Sequence, residues 1–267
     1  MPKISVIIPT YNRELEVSRA IASVLAQDFK DLEVLVCDDG STDHTARAVA
    51  TIMARDARVR FLPLGIHSGL PAVARNKGIR EARGEWLAFL DSDDRWYPHK
   101  LSRQLAAAVE LGLAAVSSNA INKTPAGRPD EPLLNYFEER INFPRLLKEN
   151  IIIGSSLLVK KEALAGELFS EQQNLRALED YEFWLRLLTR TDCAFLLEPL
   201  LVYYNNPTTS VRADEKRNWR QQKITVLKSF LDYAKERNNL NRFRRLARRE
   251  ILRTNFLFLA AKLKRLL

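Results

Sequence analysis

Four short polar or acidic groups, each next to an apolar run, carry the residue types that do chemistry. Asp91-Ser92-Asp93-Asp94 follows the run Trp86–Leu90. An Asp-x-Asp pair on an extended segment sends two carboxylates to the same side. Hard divalent cations take oxygen ligands, and Mg2+ is often held by one or two carboxylates plus substrate phosphates. Asp38-Asp39 precedes Gly40-Ser41-Thr42-Asp43. Adjacent carboxylates at a strand end are costly without partners or a ligand, and one of them could accept a base N–H or a ribose hydroxyl. The plainer reading is a glycine turn, with Ser41 or Asp43 capping the next helix. Pro9-Thr10-Tyr11-Asn12-Arg13 follows Val6-Ile7-Ile8. The Tyr11 ring can stack on a base, and Thr10 and Asn12 can hydrogen-bond it; a strand-to-helix turn capped by Asn12 explains the same residues. Glu179-Asp180 opens an amphipathic segment, where the helix dipole already accommodates one acid. The functional reading makes one of the two a general base.

Such groups need rigid elements behind them. Ile4–Ile8, Glu33–Cys37, Val59–Pro63 and Trp86–Leu90 read as short buried strands. Between them, Val17, Ala20, Ile21, Val24 and Leu25 share one helical face, and Thr45–Arg55 and Ala72–Ala82 read as further helices. Strands alternating with helices predict an α/β fold with a mostly parallel sheet. Ligands of open α/β sheets bind beyond the carboxyl ends of the strands, where three of the four groups fall. Further on, the pattern predicts a helix over Leu101–Leu111, a strand over Ala114–Ser118, and a surface loop over Thr124–Pro132. A short helix Phe143–Lys148, a strand-like run Ile151–Lys160, a helix Tyr181–Arg190 and an extended segment Ala194–Tyr204 follow. Everything after Ala213 reads as helical and basic.

Charge separates the tail from the body. The 267 residues carry a net charge of +9. Residues 215–267 hold 16 Lys and Arg against 4 Asp and Glu, a net of +12, which leaves 26 basic and 29 acidic residues and a net of −3 for 1–214. A body without excess positive charge argues against nucleic acid as a partner. Two cysteines, Cys37 and Cys193, make no disulfide framework and read as buried thiols in a reducing compartment. The N-terminus lacks the layout of a signal peptide, so a cytoplasmic location is expected. In the tail, Leu252, Phe256, Leu259, Leu263 and Leu266 recur at helical spacing beside arginines and lysines. That pattern suits an anionic membrane surface on the inner face, held through 243–267, and equally a helix packed on the domain or a dimer seam.

In this order and spacing, the four groups resemble a family 2 glycosyltransferase of the GT-A fold. Ala74-Arg75-Asn76-Lys77-Gly78-Ile79, Gly84-Glu85-Trp86-Leu87-Ala88-Phe89-Leu90-Asp91, Gly154-Ser155-Ser156-Leu157-Leu158-Val159-Lys160 and Pro199-Leu200-Leu201-Val202-Tyr203-Tyr204 add to the likeness, which covers roughly residues 3 to 211. The resemblance implies a Rossmann-like nucleotide-diphospho-sugar transferase sheet flanked by helices. Residues 1–100 would form its nucleotide-sugar half, 101–213 its acceptor half, and 214–267 a helical basic extension. It implies an inverting, metal-dependent transfer from a nucleotide-sugar, a UDP-sugar first, to a glycan or lipid-linked hydroxyl in polysaccharide or glycolipid synthesis. Pro9, Thr10, Tyr11 and Asp39 would hold the base, Arg75 and Asn76 would lie near the donor, and Asp91 would approach the ribose. Asp93, with Asp91, would bind Mn2+ or Mg2+, Asp180 would be the catalytic base, and Asp94 would support the loop. Some members carry a histidine near the metal in the segment matching 205–211; here that segment has none, and His44, His67 and His99 read as surface or loop residues. A nucleotidyltransferase is the second reading, but residues 9–14 lack the glycine of its phosphate loop. A non-catalytic sugar-nucleotide-binding protein is the third.

Overall fold

The computed structural model describes residues 1–124, 131–135, 138–204 and 218–264. Its first half is the expected alternation: β1 (Ile4–Thr10), α1 (Glu14–Leu25), β2 (Leu32–Asp38), α2 (Thr45–Met53), β3 (Val59–Pro63), α3 (Pro71–Glu81) and β4 (Trp86–Phe89). These strands pair in parallel in the order β3-β2-β1-β4. β1 and β2 are buried along their whole length, because helices cover both faces of the parallel half. The order places the reversal of winding between β1 and β4, which is where doubly wound sheets bind ligands.

Beyond β4 the sheet turns mixed. β5 (Arg95–Trp96), α4 (Lys100–Leu111), β6 (Ala115–Lys123), β7 (Glu131–Pro132), β8 (Arg140–Ile141), α5 (Phe143–Leu146) and β9 (Leu158–Lys160) follow, then α6 (Glu179–Leu187), β10 (Cys193–Tyr204), α7 (Trp219–Ala234) and α8 (Asn241–Lys264). β9 lies antiparallel between β4 and β6, and β10 runs parallel to β6. Two expectations change here. The run Ile151–Lys160 is a strand only from Leu158, because Gly154–Ser156 forms a 3-10 turn. That turn lets the Ser155 and Ser156 hydroxyls bond Asp94 and Ser117. The segment Thr124–Pro132 ends in β7, which pairs with β6; residues 125–130 lie outside those described. The β10 register shifts on either side of Pro199, as a residue without an N–H cannot donate to the ladder.

Two apolar layers sandwich the sheet. One joins α1, α2 and α4 to one face. The other joins α3, α5 and α6 to the opposite face and takes in Val226, Leu227, Phe230 and Ala234 of α7 and Ala247 of α8. The basic segment is therefore packed on the domain through these residues. Cys37 and Cys193 are buried free thiols, as expected.

Candidate active site

The site assembles at the carboxyl ends of β1, β2 and β4. At the end of β1, the chain turns at Asn12 with φ 48°, a left-handed conformation that asparagine tolerates better than most residues. Asn12 explains the turn: its side-chain Oδ1 accepts from the Thr42 N–H at 2.8 Å, and its backbone N–H donates to Ser41 Oγ at 2.8 Å. The β1 and β2 turns are thereby fastened together. Asp38 accepts from the Ser41 N–H and hydroxyl, so it closes this turn. Thr10 is buried, and its Oγ1 has no partner among the described residues.

Asp39 faces the loop before α3. Its Oδ1 accepts from Ser68 N–H at 2.9 Å and Ser68 Oγ at 2.7 Å, and its Oδ2 accepts from Gly69 N–H at 3.0 Å. His67 Nδ1 lies 2.9 Å from the same Oδ2, and the His67 ring stacks on Tyr11 with centroids 3.7 Å apart and 16° between planes. His67 thus joins this candidate site, although in the sequence it sits in a loop with no periodicity and reads as ordinary surface. Gly40 permits this approach, since a Cβ there would lie 2.7 Å from His67 N. Tyr11 and His67 thus form an exposed aromatic pair, held in place by the buried Asp39 carboxylate.

The acidic groups of β4 and α6 meet through Arg75. This buried guanidinium on α3 donates from Nη2 to Asp91 Oδ1 at 2.7 Å and from Nη1 to Glu179 Oε1 at 2.8 Å. Burial opposes its charge, but Asp91, Glu179 and Asp180 outweigh that and raise its pKa. Burial pushes the Glu179 carboxyl up, and the Asp180 charge adds to the effect. Glu179 Oε2 is buried without a partner among the described residues. Asp180 is only partly buried and accepts from the Tyr181 N–H at 2.6 Å. Of the two acids, Asp180 is the one that solvent or a substrate reaches.

Asp93 has about a third of its side chain exposed and pairs with Arg13 at 3.2 Å. Burial and then the neighbouring Asp91 charge push its carboxyl up. Asp94 is buried, accepting from Ser155 Oγ at 2.5 Å and from the Tyr204 N–H at 2.9 Å. Its oxygens hold the loop, in keeping with the support role. Among the described residues no group of three or more His, Cys, Asp or Glu could hold a metal ion. The Asp91 and Asp93 carboxylates are oxygen ligands of the kind a hard cation takes when it draws its other ligands from phosphates and water.

Not every expected site residue faces this cleft. Asn76 is buried, and its amide donates to the Phe169 carbonyl and to Glu171 Oε1 while its Oδ1 accepts from the Phe169 N–H. The structure thus uses it to dock the segment after β9 rather than to face the donor. Pro9 is buried within β1. Residues 205–211, with the missing histidine, lie outside those described.

Residues 5–166 match Glycosyl transferase family 2. The UDP-Glc:alpha-D-GlcNAc-diphosphoundecaprenol beta-1,3-glucosyltransferase WfgD of Escherichia coli is 30% identical over 224 residues, which are 81% of this chain and 83% of that one. Staphylococcus aureus TarS 1-349 in complex with UDP-GlcNAc shares the fold, with a TM-score of 0.77 at 21% identity over 96% of this chain and 73% of that one. So does the mannosyltransferase PcManGT from Pyrobaculum calidifontis in complex with GDP-Man and Mn2+, with a TM-score of 0.62 at 20% identity over 98% of this chain and 75% of that one. The expected GT-A architecture is therefore present, the nucleotidyltransferase and binding-only readings fall away, and the chain belongs to glycosyl transferase family 2 as a glycosyltransferase.

Proposed function

We propose that the chain moves a sugar from a UDP-sugar to a hydroxyl of a lipid-linked glycan, with inversion at the anomeric carbon, in cell-surface polysaccharide or glycolipid synthesis at the cytoplasmic face of a membrane. The carrying observation is the junction at Arg75, which ties the Asp91–Asp93 loop to the helix start that presents Asp180. Two carboxylates for a cation and one accessible carboxylate for a proton are the minimum equipment for a one-step displacement, and Arg75 joins the elements that carry them.

In this reading, residues 1–100 hold the donor and residues 101–213 the acceptor. Tyr11 stacks on the base, with Thr10 and Asp39 at its polar edge and Pro9 fixing the strand end beneath. Asp91 stands between Arg75 and the ribose, and Asp93 with Asp91 holds Mn2+ or Mg2+. When bound, the cation neutralises charge growing on the leaving diphosphate. Asp180 accepts the acceptor hydroxyl's proton as the bond to the sugar forms, a contribution of about 10²–10⁴-fold. Glu179, held by Arg75, fixes the start of α6 and stays out of the proton transfer. The relative named for a diphosphoundecaprenol-linked substrate supports the lipid-linked acceptor.

Thermal unfolding of the full chain with UDP, with and without Mn2+, tests the donor site. Saturating ligand at about 100 times its Kd adds about 2.7 kcal/mol. UDP should raise Tm only with Mn2+, GDP should do less, and Asp93→Asn should erase the Mn2+-dependent part. An equal UDP shift in excess chelator would remove the metal role.

A further inference from the structure

The outer face of α8 has no partner among the described residues and is built in two halves. Arg245, Arg249, Leu252, Phe256 and Leu259 follow one another at spacings of four, three, four and three, so they share one face at 100° per residue. Leu252 is 69% exposed, Phe256 71% and Leu259 58%. Arg245, Arg248 and Arg249 are exposed on the turns just before them. The opposite face cannot turn outward to hide them: Ala247 and Thr254 are buried, and Lys223 of α7 binds Glu250 at 2.5 Å. Arg220 of α7 bonds Asn255 Oδ1 at 2.6 Å and lies 4.6 Å from the Phe258 ring centroid. These contacts clamp the first turn of α7 beside the apolar half of α8. Trp219, 57% exposed, sits at that same end of the hairpin. Leu263 and Leu266, which continue the sequence stripe, lie outside the residues whose side chains are described.

We propose that this end of the α7–α8 hairpin docks on an anionic phospholipid surface, with Leu252, Phe256, Leu259 and Trp219 entering the interface and Arg245, Arg248 and Arg249 meeting lipid phosphates. Apolar side chains next to arginines suit the boundary of a bilayer, and tryptophan is favoured there because one end of its ring system is apolar and the other hydrogen-bonds. Charge decides against a second copy of the chain. The segment from 215 carries +12, and an isologous contact would set that surface against itself. An anionic bilayer has the complementary sign. No helix among the described residues is long and apolar enough to cross a membrane, so the contact is made from one side. The hairpin packs against α6, the helix that starts with Glu179 and Asp180. The docked face is thus coupled to the candidate base through one layer of packing. The proposal stands on the exposed face alone and does not depend on which sugar is transferred.

The test uses the full chain and vesicles of phosphatidylcholine with or without phosphatidylglycerol, some of it brominated. Trp86, Trp96 and Trp184 are buried, so bromine quenching of emission reports Trp219. The chain should sediment with the anionic vesicles, be released by salt through screening, and show quenching. Leu252→Glu with Phe256→Glu should abolish quenching and sedimentation. Arg245→Gln with Arg248→Gln and Arg249→Gln should cut partitioning on the order of 100-fold at about a fivefold loss per cation. All these positions are exposed, so Tm and the UDP–Mn2+ shift should stay at the wild-type values. Wild type that ignores both vesicle types, or variants that bind as well as wild type, would overturn the proposal. So would a stable dimer dissolved by the two glutamates, which would give the face to a second copy.

Discussion

Arg75 makes Glu179 and Asp180 different in kind although they are neighbours. Glu179 is buried and ion-paired; Asp180 is partly exposed and accepts from the Tyr181 N–H at its own helix start. The two carboxylates should therefore fail differently. Asp180→Asn keeps the shape and removes the proton acceptor. It should lower kcat by about 10²–10⁴-fold while leaving Tm and UDP affinity near wild type. Glu179→Gln removes one partner of a buried ion pair, a change that costs about 3–5 kcal/mol when the remaining charge is left uncompensated. Asp91 still pairs with Arg75, so the loss should fall toward the lower end, seen as a drop in Tm. Steady-state kinetics and thermal unfolding of both variants read the two effects separately. If Glu179→Gln keeps its Tm and loses turnover, while Asp180→Asn stays active, the assignment of the base is reversed. The acids themselves were legible in the sequence, because carboxylates after apolar runs stand out. Their partners were not: Arg75 reaches Glu179 across 104 positions and Arg13 reaches Asp93 from the end of β1. Such pairings follow from the order of strands, which local periodicity does not encode.

At the scale of elements, the parallel half of the sheet is held by close approach as much as by apolar burial. Gly84 donates its N–H to Ser5 Oγ at 2.8 Å, and a Cβ there would lie 2.5 Å from Ser5 N and 2.8 Å from the Ile4 carbonyl carbon. Both are backbone atoms, so β1 itself must move to admit a methyl group. Gly84→Ala should cost at least the roughly 1–3 kcal/mol of ordinary overpacking. Because β1 carries Thr10 and leads into Tyr11, UDP affinity should fall as well; an unchanged urea midpoint would refute the crowding argument. The buried thiols offer a second check. Burial pushes the Cys37 thiol up to about 12 and raises Cys193 too. Both should resist a thiol reagent in the native state at mild alkaline pH and react only as fast as the chain unfolds. Their stabilising contribution is fully present below the ordinary thiol range and declines as pH rises from there toward 12, since only the unfolded thiols ionise. Fast reaction of either thiol without unfolding would contradict its place in β2 or β10. β1 to β4 were legible because each is a short apolar run bounded by turn residues. β5, β7 and β8 were not, each being two residues long and defined solely by a distant partner. Ile151–Lys160 misled for a related reason. Its apolar composition is strand-like, but the Ser155 and Ser156 hydroxyls pull the chain into a turn to satisfy Asp94 and Ser117.

At the scale of the whole molecule, composition marked the last fifty residues as foreign to the body, and packing shows them to be part of it. The sequence contrast was one of charge, and charge lies on the outside of α7 and α8. What joins them to the domain is a sparse inner row. Val226, Leu227, Phe230 and Ala234 share a core with Phe143, Leu146 and Tyr181, and the Phe143 ring lies 5.0 Å from Phe230 and 4.8 Å from Phe243. Tyr233 adds a hydrogen bond to Glu167 at 2.7 Å, within the network that holds the buried Arg186. Burying a large aliphatic or aromatic side chain is worth about 1.5–3 kcal/mol. Val226, Leu227 and Phe230 alone then supply on the order of 5–9 kcal/mol, set against a total stability of about 5–15 kcal/mol for a typical domain. A chain ended at residue 217 should lose cooperative unfolding or precipitate, exposing the α5 and α6 surface that α7 covers. The full chain with α8's outer leucine and phenylalanine replaced should melt as wild type does. Calorimetry on the two proteins separates the roles of the inner and outer faces. A shortened chain that unfolds cooperatively within a few degrees of the full one would show that α7 lies on the domain without supporting it.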